Sequence, residues 1–312
     1  MKILLTGGAG FIGSHVAAQL ISHGYEVIII DNLISGSTTY LPQGVEFFRM
    51  DINDPAVEDV FKSVKPEIVL HLAAQTSVVH SMKEPYFDFQ SNTDGTIKLL
   101  QYAARYHVRQ FIFSSTSAVY GEPTYLPIDE MHSIDPQSFY AVSKYAAERY
   151  IQTFAAQYGF TPTILRFSNV YGPRQNTAGE AGVVGIFILN YLKKERCLIY
   201  GGNQTRDFIY VKDVANACRK AIESDLSGIY NISSSVELSI GVLNELISQQ
   251  LEVNASADYM PFRDGELIRS VLSNEKAKKE LGWIPTFSLS EGIYETIRHI
   301  KEFQWKCVKV KS

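Results

Sequence analysis

The sequence predicts an α/β fold: a doubly wound parallel sheet joined to a smaller mixed α/β lobe. Two observations carry that expectation. Short apolar runs alternate with amphipathic stretches of helical length through the first half of the chain, which is the pattern of successive strand–helix–strand units. Each glycine-rich or polar motif in that half also falls directly after an apolar run, where the carboxyl ends of parallel strands gather and ligands bind. With 312 residues, 46% of them hydrophobic and 12% aromatic, the chain can bury a large core and a second, smaller one. Residues 1–172 are expected to form the sheet domain and 173–312 the lobe, with segments near 206–232 returning to the first domain.

Taken in order, Ile3-Leu4-Leu5-Thr6 reads as a buried parallel strand. It runs into Gly7-Gly8-Ala9-Gly10-Phe11-Ile12-Gly13 and a helical pattern from Ser14 to His23. Strand, glycine turn and helix form the context in which this spacing marks a dinucleotide site of Rossmann type. Gly7 and Gly10 permit a tight turn with backbone N–H groups close to a pyrophosphate, and Gly13 permits close packing of helix on strand. Tyr25 to Ile30 is a second strand, ending in Asp31-Asn32, where a carboxylate meets an adenosine ribose 2′-OH. Such a carboxylate repels a 2′-phosphate, so the expected cofactor is NAD rather than NADP. Val45 to Arg49 is the third strand, leading to Asp51-Ile52 and a helix over about 54–64. Glu67 to His71 is the fourth, closing on Leu72-Ala73-Ala74, small residues that allow a ligand close approach.

A long helix is expected from Pro85 to Tyr106, then a fifth strand, Gln110 to Phe113, opening into a loop that carries Ser114-Ser115-Thr116. A helix over about 137–158 bears Tyr140 and Lys144, and a sixth strand, Thr163 to Phe167, ends in Ser168-Asn169-Val170-Tyr171-Gly172-Pro173-Arg174. Beyond it the elements shorten: helices near 183–194, 213–223, 239–251, 274–281 and 289–303, with strands near 197–200 and 206–211. Lys306 to Ser312 reads as a solvated tail.

The chemistry gathers at Tyr140-Ala141-Val142-Ser143-Lys144. A tyrosine and a lysine at i and i+4 share one helix face, and an ammonium beside a phenol favours the phenolate. Thr116 could hold a substrate oxygen against it. The same spacing suits an ordinary amphipathic helix with one aromatic residue and one solvated lysine; the glycine turn at the amino terminus decides against that. Twenty-nine basic and 33 acidic residues leave a formal charge of -4 without a basic run, so nucleic acid and anionic membrane are poor partners and a small molecule is a better one. Cys197, Cys218 and Cys307 match neither a disulfide framework nor a metal-ligand spacing. The apolar start is too short for a leader, and no segment approaches a membrane span, so the expected location is the cytoplasm.

With these motifs assembled, the chain resembles the extended short-chain dehydrogenase/reductases, and within them the NAD-dependent nucleotide-sugar epimerase/dehydratase family. The resemblance extends through Gln204-Thr205-Arg206-Asp207-Phe208 and Arg263-Asp264-Gly265-Glu266. It implies that Gly7, Gly10, Phe11, Ile12, Gly13, Asp31, Asn32, Ser35, Gly36, Asp51, Ile52, Leu72, Ala73, Ala74, Asn92, Ser114 and Phe167 surround NAD together with Tyr140 and Lys144. Tyr140 would be the acid/base, Lys144 would bond the nicotinamide ribose and lower the tyrosine pKa, and Thr116 would bind the sugar hydroxyl. Ser117, Asn169, Val183, Arg206, Arg263 and Ser270 would complete the sugar-nucleotide site, the arginines gripping phosphate.

Dehydratases of this family place an Asp-Glu pair directly after the catalytic Thr, and the decarboxylating members a Glu at the second of those positions. Ser117 and Ala118 stand there instead and cannot move a proton. The implied activity is therefore 4-epimerisation of a UDP-hexose, glucose/galactose first, with Ser270 leaving room for N-acetyl sugars. UDP-glucuronate 4-epimerisation, dTDP-glucose 4,6-dehydration and a non-catalytic NAD(H) sensor are the alternatives. A homodimer is implied, through the helices near 85–106 and 137–158.

Overall fold

The computed structural model describes residues 1–176, 182–254, 257–262 and 267–309. The chain opens with β1 (Lys2–Thr6), α1 (Phe11–Ser22), β2 (Glu26–Asp31), β3 (Glu46–Arg49), α2 (Val57–Val64) and β4 (Ile68–His71). There follow α3 (Val78–Lys83), α4 (Pro85–Phe89), a π turn (Gln90–Asp94), α5 (Gly95–Arg105), β5 (Gln110–Thr116), α6 (Phe139–Tyr158), β6 (Thr161–Phe167) and β7 (Asn169–Tyr171). The remainder comprises α7 (Val183–Leu192), β8 (Cys197–Tyr200), β9 (Thr205–Tyr210), α8 (Val211–Ser224), β10 (Gly228–Ile232), β11 (Glu237–Ser239), α9 (Ile240–Gln250), β12 (Ala257–Met260), a π turn (Ala277–Leu281) and α10 (Leu289–Lys309).

The main sheet has seven strands in the order β10-β6-β5-β4-β1-β2-β3, all parallel. This is the doubly wound, Rossmann-type sheet that the strand–helix alternation predicts. Side chains alternate across it as a period of two requires. Ile3 and Leu5 of β1 join the core under α1 and α8, while Leu4 between them joins the core under α2, α5 and α6. Burial on both faces explains why these strands read as unbroken apolar runs. Each fully buried Ile or Leu contributes about 1.5–3 kcal/mol.

A smaller sheet, β11-β9-β7, and the pair β12-β8 pack with α7, α9 and α10 around a separate core that includes Phe187, Ile188, Phe208 and Leu243. The chain reverses its winding between β1 and β4, so the crevice for a ligand lies at their carboxyl ends.

Several elements differ from expectation. Strand β5 runs on through Thr116, because Ser114, Ser115 and Thr116 pair with Leu165, Arg166 and Phe167 of β6; the motif is a strand end and not a loop. The long helix carries a π turn in its middle, and α3 precedes it. Helix α10 continues to Lys309 where a solvated tail was expected. Strand β10 pairs with β6 and closes one edge of the main sheet.

Candidate active site

The carboxyl ends of β1 to β6 surround one cavity of about 670 Å³. From β1 and the turn after it come Gly7, Gly10, Phe11, Ile12 and Gly13; from β2 and the residues after it come Asp31, Asn32 and Ser35; and past β3 lie Asp51 and Ile52. Leu72, Ala73 and Ala74 follow β4, and Ser114, Thr116, Phe167, Tyr140 and Lys144 form the far end.

The glycine turn is closed by contact. Gly7 has φ +73°, and a Cβ there would stand 2.7 Å from the Ala73 nitrogen. A Cβ on Gly13 would stand 2.0 Å from the Gly7 carbonyl oxygen. Gly10 caps α1 without a side-chain hydrogen bond, so the first-turn N–H groups face the cavity with the positive end of the helix dipole behind them. Asp31 is buried at the end of β2, its carboxylate accepting the Ala9 N–H at 3.0 Å and the Leu33 N–H at 2.8 Å.

At the other end, Tyr140 sits in the first turn of α6, which is capped by Ser138 Oγ accepting the Ala141 N–H at 3.2 Å. Tyr140 is half-buried and forms part of the cavity wall. Burial pushes the phenol up to about 12; a hydrogen bond from Thr116 pulls it down and the charge of Asp88 pushes it further up. Lys144 is 2% exposed, its Nζ lying 4.1 Å from the centroid of the Phe113 ring. Burial pushes the ammonium down to about 7, against the pull of Glu148 and then Asp88. The sequence led to the expectation that Lys144 makes Tyr140 acidic. Among the influences acting on the phenol, burial is the largest.

Some expected contacts are absent from the cavity wall. Gly36 lies beneath Ala9, where a Cβ would come within 2.9 Å of its backbone. Asn92 is buried, its Oδ1 accepting the Gln75 N–H at 2.9 Å and its Nδ2 donating to the Gln75 carbonyl at 3.0 Å, so it shapes the loop after β4 without facing the cavity. Ser117 opens the turn after Thr116, Asn169 is exposed on β7, and Val183 starts α7; none of them lines the wall. Arg206 donates from Nη1 to the Thr205 and Leu267 carbonyls, both at 2.8 Å, which turns its guanidinium toward backbone and not toward the cavity. Ser270 is buried away from it, and Arg263 lies outside the described residues. Conversely Gln75, Thr76, Ser77, His80, Phe87, Ser91, Ser115 and Gln175 line the cavity and were not picked out from the sequence. Apart from Ser115, which adjoins Thr116, and Gln175, which follows Arg174, no motif spacing marks them.

A family model described as "NAD dependent epimerase/dehydratase family" matches residues 3–233. The chain belongs to that family. A crystal structure of UDP-glucose 4-epimerase from Thermotoga maritima with UDP-glucose superposes with a TM-score of 0.94 at 41% identity, covering 97% of this chain and 100% of that one. The UDP-N-acetylglucosamine 4-epimerase of Methanobrevibacter ruminantium, in complex with UDP-N-acetylmuramic acid, gives 0.93 at 35% identity over 97% and 98% of the two chains. The human dTDP-D-glucose 4,6-dehydratase is 36% identical over 99% of this chain and 93% of its own. This epimerase/dehydratase family enzyme therefore uses NAD, and its relatives include 4-epimerases, decarboxylases and a dehydratase of sugar nucleotides. The residues present fit the cofactor: the glycine turn, packed against Ala73, leaves the α1 amino terminus open to the cavity for a pyrophosphate, and the Asp31 carboxylate at the β2 end suits a ribose diol.

Proposed function

We propose that this family member inverts C4 of a UDP-hexose, with UDP-glucose and UDP-galactose as the first pair and their N-acetyl counterparts as the second. One observation carries the reading. Among the described residues, the carboxylates on the cavity wall are Asp31 and Asp51, at the ends of β2 and β3. In the sheet order, β2 is three strand positions from β5, about 14 Å from Thr116 at 4.8 Å a strand. Among the described residues on the cavity wall, the end that holds Tyr140, Lys144, Ser114, Ser115 and Thr116 thus presents hydroxyls and one amine and no carboxylate. Removing a C5 proton and expelling the C6 hydroxyl needs such a group, and exchanging one proton at C4 does not.

In this reading Tyr140 takes the proton of the C4 hydroxyl and returns it after the sugar has turned over. The Thr116 hydroxyl, which shares the cavity wall with the phenol, holds the C4 oxygen in line. When bound, NAD supplies the hydride acceptor for C4 and, once reduced, the donor for the return. Lys144, fixed against Phe113, carries the positive charge that steadies the phenolate. Asp31 selects the cofactor without a 2′-phosphate. Arg206 and Arg263 are assigned to the diphosphate, and for Arg206 this requires its guanidinium to leave the backbone carbonyls it now holds.

The test is to supply NAD and UDP-glucose, or UDP-N-acetylglucosamine, and follow the sugar by proton NMR. The expected outcome is the C4 epimer rising to equilibrium with no accumulation of reduced cofactor. A 4-keto-6-deoxy product overturns the reading in favour of dehydration. We further propose that two copies pair through α4 to α6, whose outer surface exposes Tyr86, Phe89, Val142 and Tyr150. Sedimentation as a monomer at micromolar concentration would exclude that pairing.

A further inference from the structure

An ammonium in a protein interior needs negative charge beside it, and Lys144 is in the interior. Two carboxylates act on it. Glu148, 1% exposed, follows Lys144 at i+4 on the same face of α6. Asp88, 0% exposed, comes from α4. Each is tied to a wall of the cavity. Glu148 accepts the Ser115 hydroxyl at 2.5 Å, and Arg166 from β6 grips it through Nε at 3.0 Å and Nη2 at 2.6 Å. Asp88 accepts the Ser143 hydroxyl at 2.5 Å, Gln75 Nε2 at 2.7 Å and Asn92 Nδ2 at 3.2 Å. Ser115 and Gln75 both line the cavity. The cations Lys144 and Arg166 thus balance the anions Asp88 and Glu148 in one buried cluster.

We propose that Glu148 and Asp88 are positioning residues for Lys144: they supply the field that holds it as an ammonium and, through Ser115 and Gln75, lock that field to the cavity wall. The other groups facing Lys144 are compatible with this. Tyr140 on its own helix is neutral, with its phenol pushed up to about 12. His71 on β4 is held neutral between Thr6 and Thr96, its imidazole pushed down to about 3. Phe113 on β5 offers a ring face, and the charge of Arg166 on β6 is spent on Glu148. The two carboxylates are not equivalent. Both pull the Lys144 ammonium upward against burial, and Asp88 also pushes the Tyr140 phenol up.

The inference rests on the proposed part of Lys144 in the reaction, so its first readout needs no turnover. Lysine labelled with 13C at Cε is titrated by NMR in the holoenzyme, and Lys144→Met assigns the signal. Glu148→Gln alone leaves Arg166 unpaired in the interior and endangers the fold, so it is paired with Arg166→Met, which removes both charges together. In Asp88→Asn the Lys144 midpoint is expected to fall by about one pH unit, in the double variant by less because a cation leaves with the carboxylate, and the alkaline limb of kcat/KM to follow it. Asp88→Asn is expected to lower the Tyr140 titration as well, while the double variant leaves it in place. A Lys144 midpoint that stays where it is in both folded variants overturns the inference, whatever happens to the melting temperature. A midpoint that moves while the rate limb stays supports the inference and removes Lys144 from the proposed chemistry.

Discussion

Tyr140 has to lose a proton in a place where burial alone would keep it, with its phenol pushed up to about 12. The proposed chemistry therefore predicts that Tyr140→Phe lowers kcat by about 10²–10⁴ while leaving NAD bound, since the ring stays as cavity wall. Turnover within a few-fold of the unmodified enzyme would remove Tyr140 as the acid/base. At the opposite end, Asp31→Ala should narrow the preference for NAD over NADP by about tenfold or more, because a like charge is no longer set against the 2′-phosphate. Binding of both cofactors by titration calorimetry checks this, and an unchanged ratio would mean that Asp31 does not face the ribose. Residues at strand ends were legible in the sequence because a motif sits where an apolar run stops. Asp88 and Glu148 were not, because what makes them matter is a partner far along the chain. Ser143 reaches Asp88 across 55 positions, and no local pattern encodes that.

Helix α6 brings the reactive side chain into place by how it begins. Ser138 stops the preceding chain in an extended conformation and caps the helix through the Ala141 N–H, which fixes Tyr140 in the first turn. Ser138→Ala should destabilise the protein by about 1 kcal/mol and lower kcat more than it raises KM, because the phenol loses alignment with Thr116. Urea midpoints and steady-state rates together check it; equal rates with lowered stability would mean that packing, not the cap, sets the phenol. At this scale the sequence was readable where period and burial agree, as in β1, β2, β4 and α1. It was unreadable where an element owes its form to pairing. Ser114 and Ser115 are weak strand formers, held extended by β6. β10 is short and carries a buried polar residue, Asn231, which is satisfied by accepting the Tyr120 hydroxyl at 2.7 Å and donating to the Ile128 carbonyl at 3.0 Å. Neither partner is visible from the five residues of the strand.

The main sheet and the cavity at its strand ends share one liability, which is acid. His71 stands at the centre of the main sheet, between the hydroxyls of Thr6 at 2.7 Å and Thr96 at 3.0 Å, and burial followed by the Lys144 charge pushes its imidazole down to about 3. The unfolded chain binds that proton near the ordinary value of 6.5. Between the two values the unfolded state carries more protons, so stability is fully present above about pH 6.5 and is lost as pH falls toward 3. At pH 4 the loss from His71 alone is roughly 3 kcal/mol. His15, half-buried against the Pro173 carbonyl and pushed down to about 4, acts in the same direction. Asp207 and Asp213, whose carboxyls burial raises, act against it. Backbone N–H groups at Ser234 and Leu272 for Asp207, and at Thr286 and Phe287 for Asp213, favour the carboxylate and so limit that opposing contribution. The histidines should therefore win. The urea midpoint is expected to fall between pH 7 and pH 4, while the His71 ring signal in the native protein does not titrate above pH 5. A titrating ring, or equal midpoints at the two pH values, would show that the sheet tolerates a charged imidazole at its centre.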